Sequence, residues 1–460
     1  MLLSPLPLAA LQHRRQKLAA EFDRPVVLWA GRAPARNFVA NRYPFRASSH
    51  FLYFAGRAIE DAVVWLEQGK LTLYVDEPSP ASVLWHGPTP SRDDLAAQIG
   101  ARVAYPLAEL PTVSPAATLG LPDDRVRQQQ SRVLQRQVLP AAKSQGRDRL
   151  LAAAIIQLRL QHDEAAIAEL RQAATASIAA HQAGLQAAAC AQTEAEIRAA
   201  MEAEILARDR TCAYPSIVTV AGEVLHNDQY HRAIAATDLI LADVGAESAG
   251  GWAADITRTF PARGQFSPTQ RQIYELVLAA HDACIAAIRP GVEYRDIHLL
   301  AAQAIATGLV ELGILCGEPE ALVARDAHAL FFPHGVGHLL GLDVHDMEDL
   351  GDLAGYAPGR QRSDRFGLAY LRLDRPLAAG MAVTIEPGFY QVPAILNDPA
   401  RREQFADCVN WERLAQFADV RGIRIEDDVL VTATGAEVLT AALPTTATAI
   451  EALVQAGKAV

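Results

Sequence analysis

The chain has 460 residues, 50% of them hydrophobic and 21% charged, which is the composition of an ordinary globular protein and a length that favours two domains. Its 53 acidic residues against 42 Lys and Arg give a net charge of −11, which argues against nucleic acid or an anionic membrane as a main partner. The five cysteines lack CxxC spacing and no apolar run reaches the length of a membrane span, so we expect a cytoplasmic protein without a disulfide framework or a thiolate metal site.

The first part of the chain, residues 1–155, predicts an α/β domain. A charged helix from Leu11 to Phe22 leads into the apolar run Pro25–Trp29, which is typical of a buried strand. The other predicted elements are a hairpin of Asp61–Leu66 and Lys70–Val75, a helix at Ser91–Ile99, and strands at Arg102–Tyr105 and Thr118–Leu121. Residues 125–149 carry seven Arg and Lys, as in a solvated helix and a connection, and we place the domain boundary near residue 155.

The pattern changes beyond this boundary. Residues 156–460 predict a second domain of long amphipathic helices with short β-branched strands between them. Thr193 with Glu196, and Ser267 with Gln270, have capping-box spacing at the start of two helices. The predicted helices are Glu164–Ala189, Thr193–Arg208, Ser267–Ala287 and Tyr294–Leu312. The short runs between the helices carry acidic residues.

Three histidines and two aspartates lie within the thirteen residues from His334 to Asp346. His334 and His338 have the i, i+4 spacing of a metalloprotease helix, but the glutamate of a zinc helix is absent. Gly335 and Gly337 would each cost about 1 kcal/mol in a helix. The stretch therefore predicts a glycine-rich loop or strand end that presents imidazoles; a turn with ordinary histidines is the alternative.

A predicted hairpin brings two aspartates together. Its strands are Asp238–Val244 and Asp255–Phe260. With the tip at Ala249, Asp243 lies opposite Asp255. Opposed side chains are about 4.5 to 5.5 Å apart at Cβ, where two carboxylates repel each other unless a cation lies between them. The pair predicts a metal site; two acids on a solvated strand face are the alternative.

Two more predicted strands present a glutamate from an apolar setting. In Met381–Gly388, Glu386 comes just before a proline, which holds the backbone extended. In Gly422–Val429, the isoleucines face one side of the strand, and Arg424 and Glu426 face the other. For each glutamate, an ion pair with a nearby arginine is the alternative to a metal site.

Four carboxylates and one imidazole would hold two divalent cations, because four negative charges balance four positive ones. Oxygen ligands with one nitrogen favour Mn²⁺, with Zn²⁺ or Co²⁺ as alternatives. Two such ions about 3.5 to 4 Å apart can bridge a water, lower its pKa and polarise the carbonyl that the water attacks. The combination predicts hydrolysis of an amide or a related ester.

These motifs resemble those of the pita-bread metallopeptidases that cleave Xaa-Pro bonds, a family that includes aminopeptidase P and prolidase. The segment Tyr43–Phe54 is similar to the family's amino-terminal domain, so the resemblance covers nearly the whole chain. It implies an α/β (α+β) protein, with a creatinase/prolidase-like amino-terminal α/β domain followed by a pita-bread catalytic domain. It also implies a homodimer.

The resemblance assigns roles to residues by their motif positions. The implied metal ligands are Asp243, Asp255, His338, Glu386 and Glu426. The implied catalytic residues are Glu386, His345 and His226, and the implied substrate-binding residues are Arg372, Arg424 and His334. Glu386 would also move a proton from the bridging water to the leaving imino nitrogen.

The finer resemblance is to prolidase. Leu371–Arg375 and the extended segment up to Trp411 look more like prolidase than aminopeptidase P. Arg372 stands where the prolidase arginine approaches the terminal carboxylate of a dipeptide, a bidentate pairing that selects two-residue substrates; a surface ion pair is the alternative. We therefore expect an Xaa-Pro dipeptidase acting on proline-containing dipeptides.

Two other functions stay open. The first is an Xaa-Pro aminopeptidase acting on longer peptides. The second is a non-catalytic peptide-binding protein with the pita-bread fold, which is disfavoured, like metal-free creatinase chemistry, because all five ligands are retained.

Three departures from the family pattern bear on the substrate pocket. Asp243 and Asp255 are twelve residues apart where eleven is usual, and the loop before His226 is short. Asn227 and Ser248 stand where tyrosines are common. These departures leave the ligands intact and concern pocket shape and substrate affinity.

Overall fold

The chain divides into two compact units. The computed structural model describes residues 6–112 and 115–459. The amino-terminal unit contains the chain through Ile167 together with Met347–Ala354, and the carboxy-terminal unit contains Ala168–Asp346 and the chain from Gly355 onward. The predicted boundary near residue 155 falls inside the helix Gly146–Arg159. The division between the two compact units comes later in the chain, after Ile167.

The amino-terminal unit is built around a four-stranded sheet. The strands of this unit are β1 (Val26–Trp29), β2 (Ala35–Phe38), β3 (Asn41–Arg42), β4 (Val63–Glu67), β5 (Lys70–Tyr74) and β6 (Val103–Tyr105). Its helices are α1 (Leu8–Glu21), α2 (Ser49–Ala55), α3 (Pro80–His86), α4 (Arg92–Ile99), α5 (Asp124–Val133) and α6 (Gly146–Arg159). The sheet has the order β1-β4-β5-β6, and its pairs are antiparallel except for β5 with β6.

Most of the elements predicted for this unit are present. The hairpin of β4 and β5 forms, and α4 begins with a capping box between Ser91 and Asp94. The predicted strand at Thr118–Leu121 is wrong, because in the described part of the chain this region forms only isolated bridges, from Ala117 to Val26 and from Gly120 to Pro140. The amide of Thr118 donates to the Asp148 carboxylate at 3.0 Å instead of to a neighbouring strand.

Among the described residues, the carboxy-terminal unit combines long helices with four small sheets, three of which position the site. The long helices are α7 (Glu164–Ala187, which starts before the division), α8 (Glu194–Ala207), α9 (Pro268–Ala287) and α10 (Tyr294–Glu311). The shorter helices are α11 (Pro319–Ala324), α13 (Pro393–Leu396), α14 (Pro399–Gln404), α15 (Trp411–Ala415) and α16 (Ala447–Ala456). Helix α12 (Asp352–Gly355) begins in the segment Met347–Ala354, which belongs to the amino-terminal unit. Across the described residues, each helix is too short or too polar to cross a membrane.

Short strands carry the acidic residues of this unit. They are β7 (Thr211–Cys212), β8 (Ile217–Thr219), β9 (Leu239–Asp243), β10 (Ala246–Glu247), β11 (Thr257–Pro261), β12 (Ala382–Ile385), β13 (Gly388–Tyr390), β14 (Gly422–Arg424), β15 (Asp427–Val431) and β16 (Ala436–Val438). The sheets have the orders β11-β9-β8 and β12-β15-β16, and β13 pairs with β14. Strands β8, β9, β11, β12 and β15 are buried at every position. Strands β8, β9 and β12 are mostly apolar, as expected for buried strands, whereas β11 and β15 also bury Arg258, Asp427 and Asp428.

The two predicted capping boxes have different outcomes. The box of Ser267 and Gln270 forms at the start of α9. The box of Thr193 and Glu196 does not form, because the Thr193 hydroxyl donates to the Glu196 carboxylate at 3.1 Å rather than accepting from an amide of α8.

The hairpin of β9 and β11 forms two residues away from its predicted register. Asp243 pairs with Thr257 and not with Asp255. The same register continues beyond the strands, where the Ala254 amide donates to the Ala246 carbonyl at 3.0 Å. The predicted opposition of the two aspartates is therefore wrong, and Asp255 becomes a diagonal neighbour of Asp243 on the same face.

Gly245 explains how this register is tolerated. A Cβ at residue 245 would lie 1.8 Å from the Ala254 carbonyl oxygen and 2.8 Å from Cε1 of Tyr214. Only glycine allows the returning strand and the tyrosine ring to approach this closely. The close approach brings the Tyr214 hydroxyl to the two aspartates.

Candidate active site

All ten residues that the sequence assigns to the site border one cavity of about 410 Å³ in the carboxy-terminal unit. Strands β9, β11, β12, β14 and their flanking residues supply the acids, and the chain around residues 334–345 supplies imidazoles. Leu339 bridges Val383, so this glycine-rich stretch runs as extended chain beside β12 and not as a helix. The lining also contains Arg362 and Tyr370, which the sequence interpretation did not single out.

Three of the predicted ligands are already close enough to share a metal ion. One ligand atom each from Asp255, His338 and Glu426 lie within 4.8 Å of one another, and the three side chains are buried. His338 Nε2 lies 3.4 Å from Asp255 Oδ2 and 3.8 Å from Glu386 Oε1. The donor set of carboxylate oxygens and one imidazole nitrogen suits a divalent cation.

The tautomer of His338 fits the role of a ligand. Its Nδ1 lies 3.0 Å from the Leu339 carbonyl oxygen, which can only accept a hydrogen bond. The proton therefore lies on Nδ1, and the lone pair of Nε2 faces the carboxylates of Asp255 and Glu386. A backbone partner for the other ring nitrogen is the usual way in which a metal-binding histidine is oriented.

Tyr214 joins the two aspartates and was missed at the sequence level. Its hydroxyl oxygen lies 2.6 Å from Asp243 Oδ1 and 2.5 Å from Asp255 Oδ1. The hydroxyl has one proton and can donate to only one carboxylate, so a further proton or a cation is needed to hold the second. Burial, followed by the charge of Asp243, raises the pKa of Asp255 to about 7.

The two glutamates of the site, like Asp255, have a raised pKa because they are buried. Burial raises the pKa of Glu386 to about 7, and burial together with the neighbouring carboxylates raises the pKa of Glu426 well above its usual value. Arg424 is the cation in direct contact with this group, and its Nη2 donates to Asp243 Oδ2 at 2.6 Å. The excess of negative charge fits the binding of divalent cations in addition to the arginine.

Arg424 lies in a network of hydroxyl groups. Its Nη1 donates to the Tyr390 hydroxyl at 3.0 Å and its Nε donates to the Thr257 hydroxyl at 2.9 Å. Tyr390 also lies 2.9 Å from His334 Nε2. The Nδ1 of His334 lies 2.8 Å from the Gly335 carbonyl, and burial lowers the pKa of this imidazole to about 3, so His334 is neutral.

The remaining predicted residues border the same cavity. The ring of His345 stacks edge to face with that of His338, with centroids 4.3 Å apart. His226 has an exposed side chain, and Arg372 is half-buried. The structure brings these three residues into the cavity wall, and their roles toward a substrate stay predictions.

The two residues that stand where the family commonly has tyrosines form hydrogen bonds outside the cavity. The Asn227 amide group donates to the Gln229 carbonyl at 2.5 Å and accepts from Arg232 at 2.9 Å. The Ser248 hydroxyl donates to Glu169 at 2.6 Å. Asn227 thus bonds within its own loop, Ser248 bonds to α7, and neither is among the residues that line the cavity.

Comparisons with known proteins agree with this geometry. Residues 168–433 match the metallopeptidase family M24, and residues 11–121 match the amino-terminal domain of aminopeptidase P. A probable Xaa-Pro aminopeptidase of Botryotinia fuckeliana is 33% identical over 404 residues, covering 86% of this chain and 85% of the relative.

Solved structures give the same likeness. The aminopeptidase PepP of Pseudomonas aeruginosa matches with a TM-score of 0.81 at 30% identity and covers 100% of both chains. Aminopeptidase P of Escherichia coli with the inhibitor Pro-Leu matches with a TM-score of 0.80 at 27% identity, covering 99% of this chain and 100% of the other.

Proposed function

This chain belongs to metallopeptidase family M24, and we propose that it is an Xaa-Pro aminopeptidase that removes the first residue from peptides with proline in second position. The fold predicted from the sequence, an aminopeptidase P type amino-terminal domain followed by a pita-bread domain, is confirmed. The dipeptidase expected from the sequence is unconfirmed, because the matching relatives carry the name of the alternative function.

The observation that carries the proposal is the combination of that relationship with an intact cavity. Five residues of ligand type and Arg424 border one space of about 410 Å³, which falls in the size range of small-molecule and peptide sites. A non-catalytic peptide-binding protein would not need four converging carboxylates, whose mutual repulsion costs stability unless cations are bound.

We propose that Asp243, Asp255, His338, Glu386 and Glu426 hold two divalent cations, with Mn²⁺ favoured over Zn²⁺ or Co²⁺ by the oxygen-rich donor set. When bound, such ions lower the pKa of water and polarise the carbonyl group under attack.

Side chains of the site would transfer the proton of the attacking water and bind the carbonyl group of the substrate. Glu386, placed 3.7 Å from His334 Nδ1 and 3.8 Å from His338 Nε2, would accept the proton of the attacking water and return it to the imino nitrogen of proline. That nitrogen needs a proton to leave, because an unprotonated amide anion is a poor leaving group. His345 and His226 would donate hydrogen bonds to the carbonyl oxygen as charge develops there.

The length of the preferred substrate tests this proposal. We expect a tripeptide Xaa-Pro-Yaa to be cleaved with a higher kcat/KM than the dipeptide Xaa-Pro, with free Xaa as the product of both. The same first residue in both peptides provides the control. Faster cleavage of the dipeptide would favour the prolidase interpretation. Cleavage of neither peptide in the presence of Mn²⁺ would refute the proposed peptidase activity. The cytoplasmic location and the homodimer stay predictions from the sequence.

A further inference from the structure

Thr257 lies between two of the proposed metal ligands. It is fully buried at the start of β11, where its backbone pairs with Asp243 of β9. On its other side it bridges Glu426, whose amide donates to the Thr257 carbonyl at 3.0 Å. Asp243, Thr257 and Glu426 therefore lie side by side on adjacent chain segments.

The Thr257 hydroxyl joins a carboxylate to a guanidinium. Its Oγ1 lies 2.7 Å from Glu426 Oε2 and 2.9 Å from Arg424 Nε. A guanidinium can only donate, so Arg424 donates to the lone pair of Oγ1 and the hydroxyl proton goes to Glu426. The direction of both hydrogen bonds is thus fixed by the chemistry of the partners.

Arg424 does not reach Glu426 by itself. Its Nε is 3.8 Å from Glu426 Oε2, which is too long for a hydrogen bond, while its Nη2 donates to Asp243 at 2.6 Å. Thr257 fills the gap, and a continuous line of hydrogen bonds runs from Asp243 through Arg424 and Thr257 to Glu426.

We propose that Thr257 is a positioning residue that orients the Glu426 carboxylate for cation binding and keeps Arg424 from pairing with it. The proposal rests on the proposed function only in taking Asp243 and Glu426 as metal ligands. Without the hydroxyl, the buried Nε of Arg424 loses its acceptor, and Glu426 Oε2 lies only 3.8 Å away to replace it. A direct ion pair there would compete with the cation for the same carboxylate.

Thr259 offers a matched control on the same strand. It is also fully buried and faces the same side as Thr257, two residues away. Its hydroxyl donates to the Arg424 carbonyl at 3.0 Å and accepts from the Arg424 amide at 3.1 Å. It therefore contacts the backbone of Arg424 and not a carboxylate of the site.

Titration of Mn²⁺ into the metal-stripped full-length protein tests the proposal by calorimetry. We expect Thr257→Val to raise the Kd for Mn²⁺ by about 10-fold to 100-fold, the usual effect of losing a partner of a metal ligand. Thr257→Ser, which keeps the hydroxyl, and Thr259→Val, which removes a neighbouring one, should each stay within about 3-fold of the wild type. Thermal unfolding in chelator checks that the variants fold.

Two results would overturn the proposal. One is a Thr257→Val protein that binds Mn²⁺ as tightly as Thr259→Val does. The other is a Thr257→Ser protein that binds Mn²⁺ as weakly as Thr257→Val, because the retained hydroxyl would then not be what supports Mn²⁺ binding. If Thr257→Val does not fold, Thr257→Cys keeps the volume with only a weak donor, and we expect it to bind Mn²⁺ at least 10-fold more weakly than Thr257→Ser; equal affinities would refute the proposal.

This test is separate from the question of substrate. Failure of the proposed function would appear as a wild-type protein that binds Mn²⁺ and releases no residue from an Xaa-Pro-Yaa peptide. Failure of the Thr257 proposal would appear in the Mn²⁺ affinities of the variants, with wild-type cleavage unaffected.

Discussion

Replacing His328 by leucine is expected to make the protein less sensitive to acid. His328 lies at 1% exposure in the carboxy-terminal unit, and neither of its ring nitrogens has a hydrogen-bond partner among the described residues. Its ring centroid is 6.5 Å from that of His298, which is fully buried and bonds the Gly367 carbonyl at 2.8 Å through Nε2. Protonating either imidazole would place a charge where water cannot reach it.

The magnitude follows from the two pKa values. Burial lowers the pKa of His328 to about 3 and that of His298 to about 4. An unfolded histidine titrates near pH 6.5, so below that pH the unfolded chain binds more protons than the folded one. The free energy of unfolding therefore decreases as the pH is lowered. Between pH 7 and pH 5 the loss is about 2 kcal/mol for each imidazole, because each pH unit contributes about 1.4 kcal/mol once the unfolded form is protonated.

Urea unfolding at pH 7 and pH 5 measures this loss. In metal-stripped protein, we expect the decrease in unfolding free energy between the two pH values to be about 2 kcal/mol smaller in His328→Leu than in the wild type. His231→Leu, at an exposed histidine, is the control and should leave the decrease unchanged. An equal decrease in His328→Leu and the wild type would refute the reasoning, since the imidazole would then titrate alike in both states.

Three further outcomes concern the site. Tyr214→Phe removes the hydroxyl between Asp243 and Asp255, and calorimetry should find about 10-fold weaker Mn²⁺ binding; unchanged affinity would contradict the role of the hydroxyl. His338→Ala should abolish turnover while near-ultraviolet circular dichroism stays native, and near-normal turnover would show that the ligand assignment is wrong. The prolidase interpretation expects Arg372→Ala to slow cleavage of a dipeptide by about 30-fold to 1000-fold and to leave the dipeptide amide near the wild-type rate, whereas the proposed aminopeptidase function expects both rates to change by the same factor. A wild-type ratio of the two rates would mean that Arg372 does not bind the terminal carboxylate.

Residues with strong local signals could be located from the sequence. Glu386 precedes a proline in an apolar run, and His334 and His338 flank glycines that exclude a helix; all three border the cavity. Such signals depend on neighbours along the chain, so the sequence alone reveals them.

The register of the β9–β11 hairpin could not be predicted in the same way. A shift of two residues leaves every side chain on its original face, so apolar alternation fits both registers equally. What decides between them is the close approach of Ala254 and Tyr214 to Gly245, a contact that is visible only in the folded chain.

The hydroxyl partners of the site were missed for a related reason. Tyr214 is 29 and 41 residues from the aspartates that it joins, and Thr257 is 169 residues from Glu426. Thr257 lies in a buried strand and Tyr214 in the bend between β7 and β8, and a threonine or tyrosine at such a position is an ordinary residue by composition. Their roles depend on long-range packing, which spacing rules do not describe.

The choice between dipeptide and longer peptide depended on one short motif. Leu371–Arg375 places Arg372 at the cavity, but Arg362 and Tyr370 border the same cavity and have no counterpart in that argument. The named relatives are aminopeptidases, so this local motif was a weaker guide to substrate length than similarity over the whole chain.

Reconstitution of the metal-stripped protein with Mn²⁺ tests the central claim most directly. Release of the first residue from an Xaa-Pro-Yaa peptide would be followed by mass spectrometry as Mn²⁺ is added in steps. We expect no release from the stripped chain, and a rise to a plateau at two ions per chain, because five ligands carry the charge for two divalent cations. Full activity without added metal, or saturating Mn²⁺ with neither binding nor release, would contradict the assignment of a dinuclear Xaa-Pro peptidase.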